Sequence, residues 1–262
     1  MTVNRKEILE RTNPEDRIVI ARVLDKIQSA IKFAGVEVTD FYDPHRQKLL
    51  SQVLALEPGI SFIWAGGYEE AERRRAVICP DYMEASTQDD RLRLLSITGN
   101  IKFRDLAHRD FLGAILGLGI KREKIGDILV YEGGSQVIAD SDIIEYIAVN
   151  LIKVNRLGVE AQIVPREQLK LPEEQAKEIF ATVSSLRLDA VAAAGYGVSR
   201  SKMADEIRAE KVRVNWVAIS DCAYPVQEGD RISIRGRGRM EIDRVKGETS
   251  KGRIALIIKR YF

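Results

Sequence analysis

Cysteine and histidine are almost absent from this chain of 262 residues: Cys79, Cys222, His45 and His108 are all it has. The two cysteines lie far apart, and neither stands at ligand spacing from another, which excludes a disulfide framework and a structural zinc site. Neither histidine adjoins a run of Cys, Asp or Glu at metal spacing, so both read as structural and no metal site is expected. No apolar run reaches the roughly 20 residues of a membrane span. The opening MTVNRKEILERTNPEDR has no apolar signal region, and its acids speak against a transit peptide, so a cytoplasmic location is expected. Repeats, low-complexity segments and a P-loop are missing, and no cofactor is expected. Aromatic residues make up only 6%.

Charge is plentiful but nearly balanced, with 41 Lys and Arg against 39 Asp and Glu. Its distribution is uneven. From Ser184 to Phe262 there are 16 basic and 10 acidic residues, a net of +6, while the rest carries 25 and 29, a net of −4. A basic module on a mildly acidic body suggests an end that binds polyanions.

The patterning predicts an α+β chain of three domains: a small N-terminal α/β domain (1–82), a central ferredoxin-like, RRM-like domain (83–170) and a C-terminal domain (178–262). In the first, Pro14 and Asp43-Pro44 open two helices, and GISFIWAGGY and AVICP read as strands. In the second, LRLLSITG, DILVY, QVIAD and VEAQIV read as strands, with a helix from Phe103 to Leu118 and another capped by Asp140 or Ser141. The order β-α-β-β-α-β is the ferredoxin-like one. RNA recognition motifs share it, but the middle strands offer only Tyr131 as a stacking aromatic, which speaks against a sheet-surface RNA site there. Pro172, followed by two Glu, reads as the start of a helix leading into the third domain.

SLRLDAVAAAGYGVSRSKMADEIRAEKVRVNW predicts two helices and a strand. Gly195 and Gly197 make the turn, and Ser199 caps the second helix. Met203, Ala204 and Ile207 face inward, leaving Arg200, Lys202 and Arg208 outward. Lys211 and Arg213 alternate with Val212 and Val214 in the strand. A helix N-terminus, serines and fork-shaped guanidiniums together suit a phosphate. RGRGR (235–239) adds Arg235 and Arg237 on a turn that could face RNA or be a polar hairpin tip.

Four segments then carry a resemblance: Ser185-Leu-Arg187-Leu-Asp189, Ser199-Arg200-Ser201-Lys202, Val212-Arg213-Val214-Asn215 and Gly229-Asp230-Arg-Ile232. They resemble the S-four RNA-binding domain, the αL-type fold first defined in a small-subunit ribosomal protein. Two positions depart from that pattern: Glu210 stands where the family usually has Gly, and NWVAIS follows the strand where a Gly turn is frequent. His108-Arg109-Asp110-Phe111-Leu112-Gly113-Ala114, with Gly119 to Ile128, is similar to the hallmark of YlmH-type proteins, which place a ferredoxin-like domain before an S-four domain. The resemblance implies non-catalytic binding of structured RNA, and a monomer is expected. It points to rRNA of the large ribosomal subunit, with or without tRNA, in assembly or in rescue of subunits obstructed by peptidyl-tRNA. Relatives in oxygenic phototrophs are linked by name to photosystem II assembly.

The resemblance assigns RNA contact to Ser185, Arg187, Asp189, Ser199, Arg200, Ser201, Lys202, Arg213 and Asn215, and the outward cations of the helix, strand and turn add Arg208, Lys211, Arg235 and Arg237. Arg109, Lys121, Arg122 and Lys124 form a second basic cluster, balanced by Glu123 and Asp127, that could be a further RNA contact or a solvated loop. No catalytic residue is expected. The rival readings are a divergent RNA-modifying enzyme, pseudouridine-synthase-like and using Asp110 or Asp127, and a photosystem assembly factor acting through protein contacts.

Overall fold

The computed structural model describes residues 5–99, 106–172, 176–250 and 252–261. They form two compact units, Met1–Pro172 and Glu173–Phe262.

The first unit opens with α1 (Arg5–Arg11) and α2 (Pro14–Phe33). Pro14 sits in the first turn of α2, where its missing N–H costs nothing. Ile20, Val23, Leu24, Ile27 and Ala30 bury one face at helical spacing. β1 (Glu37–Val38) follows, and then α3 (Pro44–Leu56), capped by the Asp43 carboxylate, which accepts from the Arg46 amide at 3.0 Å. β2 (Ile60–Ala65) and β3 (Arg75–Pro80) complete an antiparallel sheet of order β1-β3-β2. Ala76 and Ile78 of β3 face α2 and α3, while Val77 faces the opposite way.

The middle of the chain supplies β4 (Leu92–Thr98), α4 (His108–Gly117), β5 (Ile125–Tyr131), β6 (Gly134–Asp140), α5 (Ser141–Asn150) and, later, β9 (Glu160–Val164). The sheet order β5-β6-β4-β9, all antiparallel, is the ferredoxin-like arrangement the sequence predicts. Two details differ. A hairpin of β7 (Lys153–Val154) and β8 (Leu157–Gly158) intervenes between α5 and β9. In addition, α4 begins at His108; the expected start at Phe103 lies outside the described residues.

Helices α4 and α5 cover one face of this sheet through Phe111, Ile115, Ile144 and Ile147. The other face carries Leu92, Leu94 and Ile138 and packs on Val38, Phe41, Ala65 and Val77 of the N-terminal part. Every residue of β6 is therefore buried. The packing is close: a Cβ on Gly126 would lie 2.8 Å from the Phe41 ring. At the centre Arg75, 2% exposed, pairs with Asp140 at 2.6 Å, donates to the Thr39 carbonyl and lies over the Phe41 ring. The sheet surface on which RNA recognition motifs stack bases is thus occupied by protein. This agrees with the lack of aromatics there, and Tyr131 itself lies under the Lys170 ammonium.

The second unit begins with β10 (Ala176–Val183), a strand where the sequence suggests a helix. Pro172 and two acids imitate a helix start, but Ile179, Ala181 and Val183 alternate inward against the core. All eight residues of β10 pair antiparallel with β15 (Ile254–Tyr261), and that distant partner decides the conformation. Between them lie α6 (Leu188–Tyr196), α7 (Arg200–Arg208), β11 (Val212–Val214), β12 (Val217–Ala218), β13 (Arg231–Ile234) and β14 (Gly238–Glu248). The sheet runs β10-β15-β14-β13-β11-β12, and its inner face packs on α6 and α7 around Met203, Ile207, Met240 and Ile258. Gly197 alone makes the turn between the helices, at φ 65. Gly195 lies inside α6, where a Cβ would overlap the Met240 side chain.

Candidate RNA-binding site

Two helix N-termini meet in the second unit, and they differ. The first-turn amides of α6 are taken: Leu188 donates to the Tyr224 carbonyl at 2.9 Å and Asp189 to that of Cys222 at 3.2 Å. The start of α7 is open. Ser199 is extended, its Oγ accepts from the Lys202 amide at 3.3 Å, and it lies 3.2 Å from the Ser201 hydroxyl. The amides of Arg200 and Ser201 point out of the helix end, where the dipole favours an anion.

Asp189 links the two helix starts. It is 5% exposed, and its carboxylate meets Arg187 at 3.2 Å and Arg200 at 3.0 Å. Burial would raise this carboxyl, but hydrogen bonds from Arg187 and Arg200 outweigh it and hold it below the ordinary carboxylate range. Both guanidiniums remain substantially exposed and have further N–H donors to offer. One buried acid therefore fixes two cations beside an open helix N-terminus. Ser185 lies just before, in the segment entering α6.

The other expected residues fall into two groups. Lys202, Lys211 and Arg235 are exposed and carry no ion pair among the described residues, and the Arg235 amide donates to the Lys211 carbonyl, bringing those two together. Arg213 is exposed on β11, and Arg208 pairs loosely with Asp205 across a helical turn. Two residues instead serve the fold. Arg237 grips Glu206 with both Nε and Nη2, at 3.1 and 2.8 Å, tying the 235–237 turn to α7. The Asn215 amide group bridges Asp230 Oδ1 (2.8 Å) and the Arg231 amide (3.0 Å).

Both departures from the S-four pattern sit in strained backbone. Glu210 has φ 54, the left-handed region that Gly occupies without penalty. Asn215 and Trp216, at φ 48 and 68, form the two-residue turn joining β11 and β12 without any glycine.

The second basic cluster is divided. Arg109 and Lys121 are exposed, whereas Arg122 donates to the carbonyls of Ile125 and Gly126. Burial, with Arg73 nearby, pushes the Arg122 guanidinium down to about 10. Lys124 pairs with Asp40 (2.9 Å) and Asp140 (3.4 Å). These two cations hold the unit together. The carboxylates of the enzyme reading are also engaged. Asp127 accepts from Tyr68 Oη (2.8 Å) and the amides of Glu72 (2.7 Å) and Arg73 (3.0 Å). Asp110 accepts from the Ala107 amide at the start of α4.

Glu206, which positions Arg237, escaped the sequence reading: its position three residues after Met203 signals a helix but not its partner 31 residues on. Among the described residues no helix is long and apolar enough to cross a membrane.

Comparison with known proteins bears on the family of the chain. The family profile of the YlmH N-terminal domain matches residues 15–83, that of the RNA-binding domain in YlmH residues 85–168, and that of the S4 domain residues 186–232. The chain is 33% identical over 254 residues to the ribosome-associated protein quality control protein P2 of Bacillus subtilis (strain 168), covering 97% of this chain and 98% of that one. It is also similar to the solved structure of the cell division protein ylmH from Streptococcus pneumoniae, with 26% identity and a TM-score of 0.53, over 61% of this chain and 98% of the other.

Proposed function

The chain belongs to the YlmH family, and from that premise we propose that it binds structured RNA of the ribosome through the start of α7 and the cations around it. The finer assignment is rRNA of the large subunit, with or without a bound peptidyl-tRNA, in ribosome quality control or assembly. The protein acts as a non-catalytic monomer in the cytoplasm. The observation that carries the reading is the Arg187–Asp189–Arg200 cluster beside the open amides of α7. Such an arrangement holds guanidiniums in place before a phosphate arrives, so less side-chain entropy is lost on binding. The name of the Bacillus subtilis relative supports the ribosomal setting.

Crosslinking in cells tests it. The tagged protein is crosslinked to RNA and the crosslinks sequenced, beside an Arg200→Glu/Lys202→Glu variant. Crosslinks concentrated on large-subunit rRNA and lost in the variant are expected. Scattered crosslinks that ignore the variant would overturn the proposal.

A further inference from the structure

The six-stranded sheet of the second unit has a second face. Its inner face is filled by α6 and α7, while on the outer face Phe180, Arg213, Arg244 and Lys246 are exposed and Tyr261, Arg239 and Ser233 partly so. Strand register sets them in rows across the sheet. One row is Phe180–Ile257–Arg244, and another is Tyr261–Arg239–Ser233–Arg213. Phe180 is 70% exposed, although it stands beside Ile257, which is only 8% exposed. The Lys246 ammonium lies 5.3 Å from the Phe180 ring centre, and the Arg239 guanidinium 4.8 Å from that of Tyr261. The two rings are four residues apart along the strands, roughly 13 Å.

Charge on this face favours an anion. Lys259 is neutralised by Asp243 at 2.6 Å, with the exposed Glu178 opposite it on β10, and Arg231 by Glu241 at 2.9 Å. Among the described residues Arg213, Arg244 and Lys246 have no acidic partner. A flat sheet with two aromatic rings, each attended by a cation, is what unstacked bases need: the ring takes a base face and the cation reaches the adjoining phosphate. A duplex hides its base faces and gains nothing from the rings.

We infer that the outer face of the β10-β15-β14 sheet is a second RNA-contacting surface, which takes a single-stranded segment by stacking bases on Phe180 and Tyr261. The inference rests on the RNA-binding reading above for the class of ligand, but it uses the face opposite α7 and, Arg213 apart, different residues.

The test is binding of a labelled short uridine oligonucleotide to the full chain, followed by fluorescence anisotropy over a salt series. Phe180→Ala should weaken binding about 5-fold or more at every salt concentration without altering the log–log slope, because stacking releases no counterions. Lys246→Ala should flatten that slope by about one. Arg200→Glu should leave the oligonucleotide bound while structured RNA is lost, so the two faces fail separately. Phe180 is exposed, so its removal should leave the thermal midpoint nearly unchanged, and Phe180→Leu keeps the apolar bulk in any case. Equal loss in Leu and Ala variants fits stacking. Full binding by the Leu variant, or no binding of the oligonucleotide by the parent protein, overturns the inference. If Phe180→Ala abolishes co-sedimentation with ribosomes but leaves oligonucleotide binding intact, the face belongs to a protein partner and the inference falls.

Discussion

The Arg200 guanidinium, at the first position of α7, lies 3.0 Å from the carboxylate of Asp189 in the first turn of α6. The contact turns an acid into an aid to anion binding. An exposed ion pair contributes little, but this carboxylate is almost fully buried and serves two guanidiniums. Removing it leaves both cations untethered.

Asp189→Asn therefore sets two expectations against each other. Simple charge counting says that losing an acid from a basic face tightens RNA binding. The geometry says that binding weakens, about 5- to 10-fold, as the donors lose their orientation, and that stability falls by about 1–3 kcal/mol. Anisotropy titration with a structured rRNA fragment, beside urea unfolding, decides; tighter binding would show that Asp189 does not position the site.

The same residue fixes a pH dependence. Its carboxyl lies below the ordinary range in the folded state, so its stabilisation is fully present above the unfolded value of about 4. That contribution disappears only as pH falls through the depressed value. The stability gap between parent and Asp189→Asn should be flat from pH 5 to pH 8 and close below about pH 4. A gap that narrows near neutrality would place the titration elsewhere.

Arg200 and Arg237 should differ in the salt dependence of RNA binding. Arg200→Ala removes an exposed cation at the helix start and is expected to flatten the log–log slope by about one. Arg237 is held by Glu206, so Arg237→Ala should move the slope much less while loosening the turn it anchors. Equal slopes for both variants would mean that the Glu206 pair opens when RNA binds.

Glu210→Gly should be a gain in two respects. It relieves a left-handed residue, worth up to about 1 kcal/mol after the entropic cost of glycine, and it removes an acid next to Lys211. A higher midpoint in urea and modestly tighter RNA binding are expected. A lower midpoint would mean that the Glu210 side chain supports the turn.

Asp127→Ala removes the acceptor for three donors from the 68–73 segment and should destabilise the first unit by about 2–4 kcal/mol. Trp64, on β2, reports that unfolding by fluorescence. A folded variant of parental stability, with an RNA modification missing in cells, would bring back the enzyme reading.

Much of this was legible in the chain because local chemistry decided it. Asp43-Pro44, Asp140 and Ser199 cap the helices they announce, and the four central strands lie on the apolar runs that mark them. What failed to show depended on distant partners. β10 imitates a helix start until β15 is considered. Arg122 and Lys124 look like surface cations until Asp40, Asp140 and the carbonyls of β5 come into range. At the site, the identities of the basic residues were visible, but the division into anion-facing and fold-serving cations was not. Nothing near Arg237 in sequence indicates Glu206, and nothing near Asn215 indicates Asp230.

The pairing of β10 with β15 also bears on how the second unit comes into being. The two strands bracket everything else in the sheet, and Arg253 reaches back across 71 residues to the Thr182 carbonyl. Such distant pairing forms slowly, because a long loop must close before any contact repays it. During synthesis β10 emerges first and must wait, with Phe180 on it, until β15 leaves the exit tunnel. The first unit has by then been fully translated and can already be folded. The two units are then born in succession, the basic module closing after the unit that precedes it.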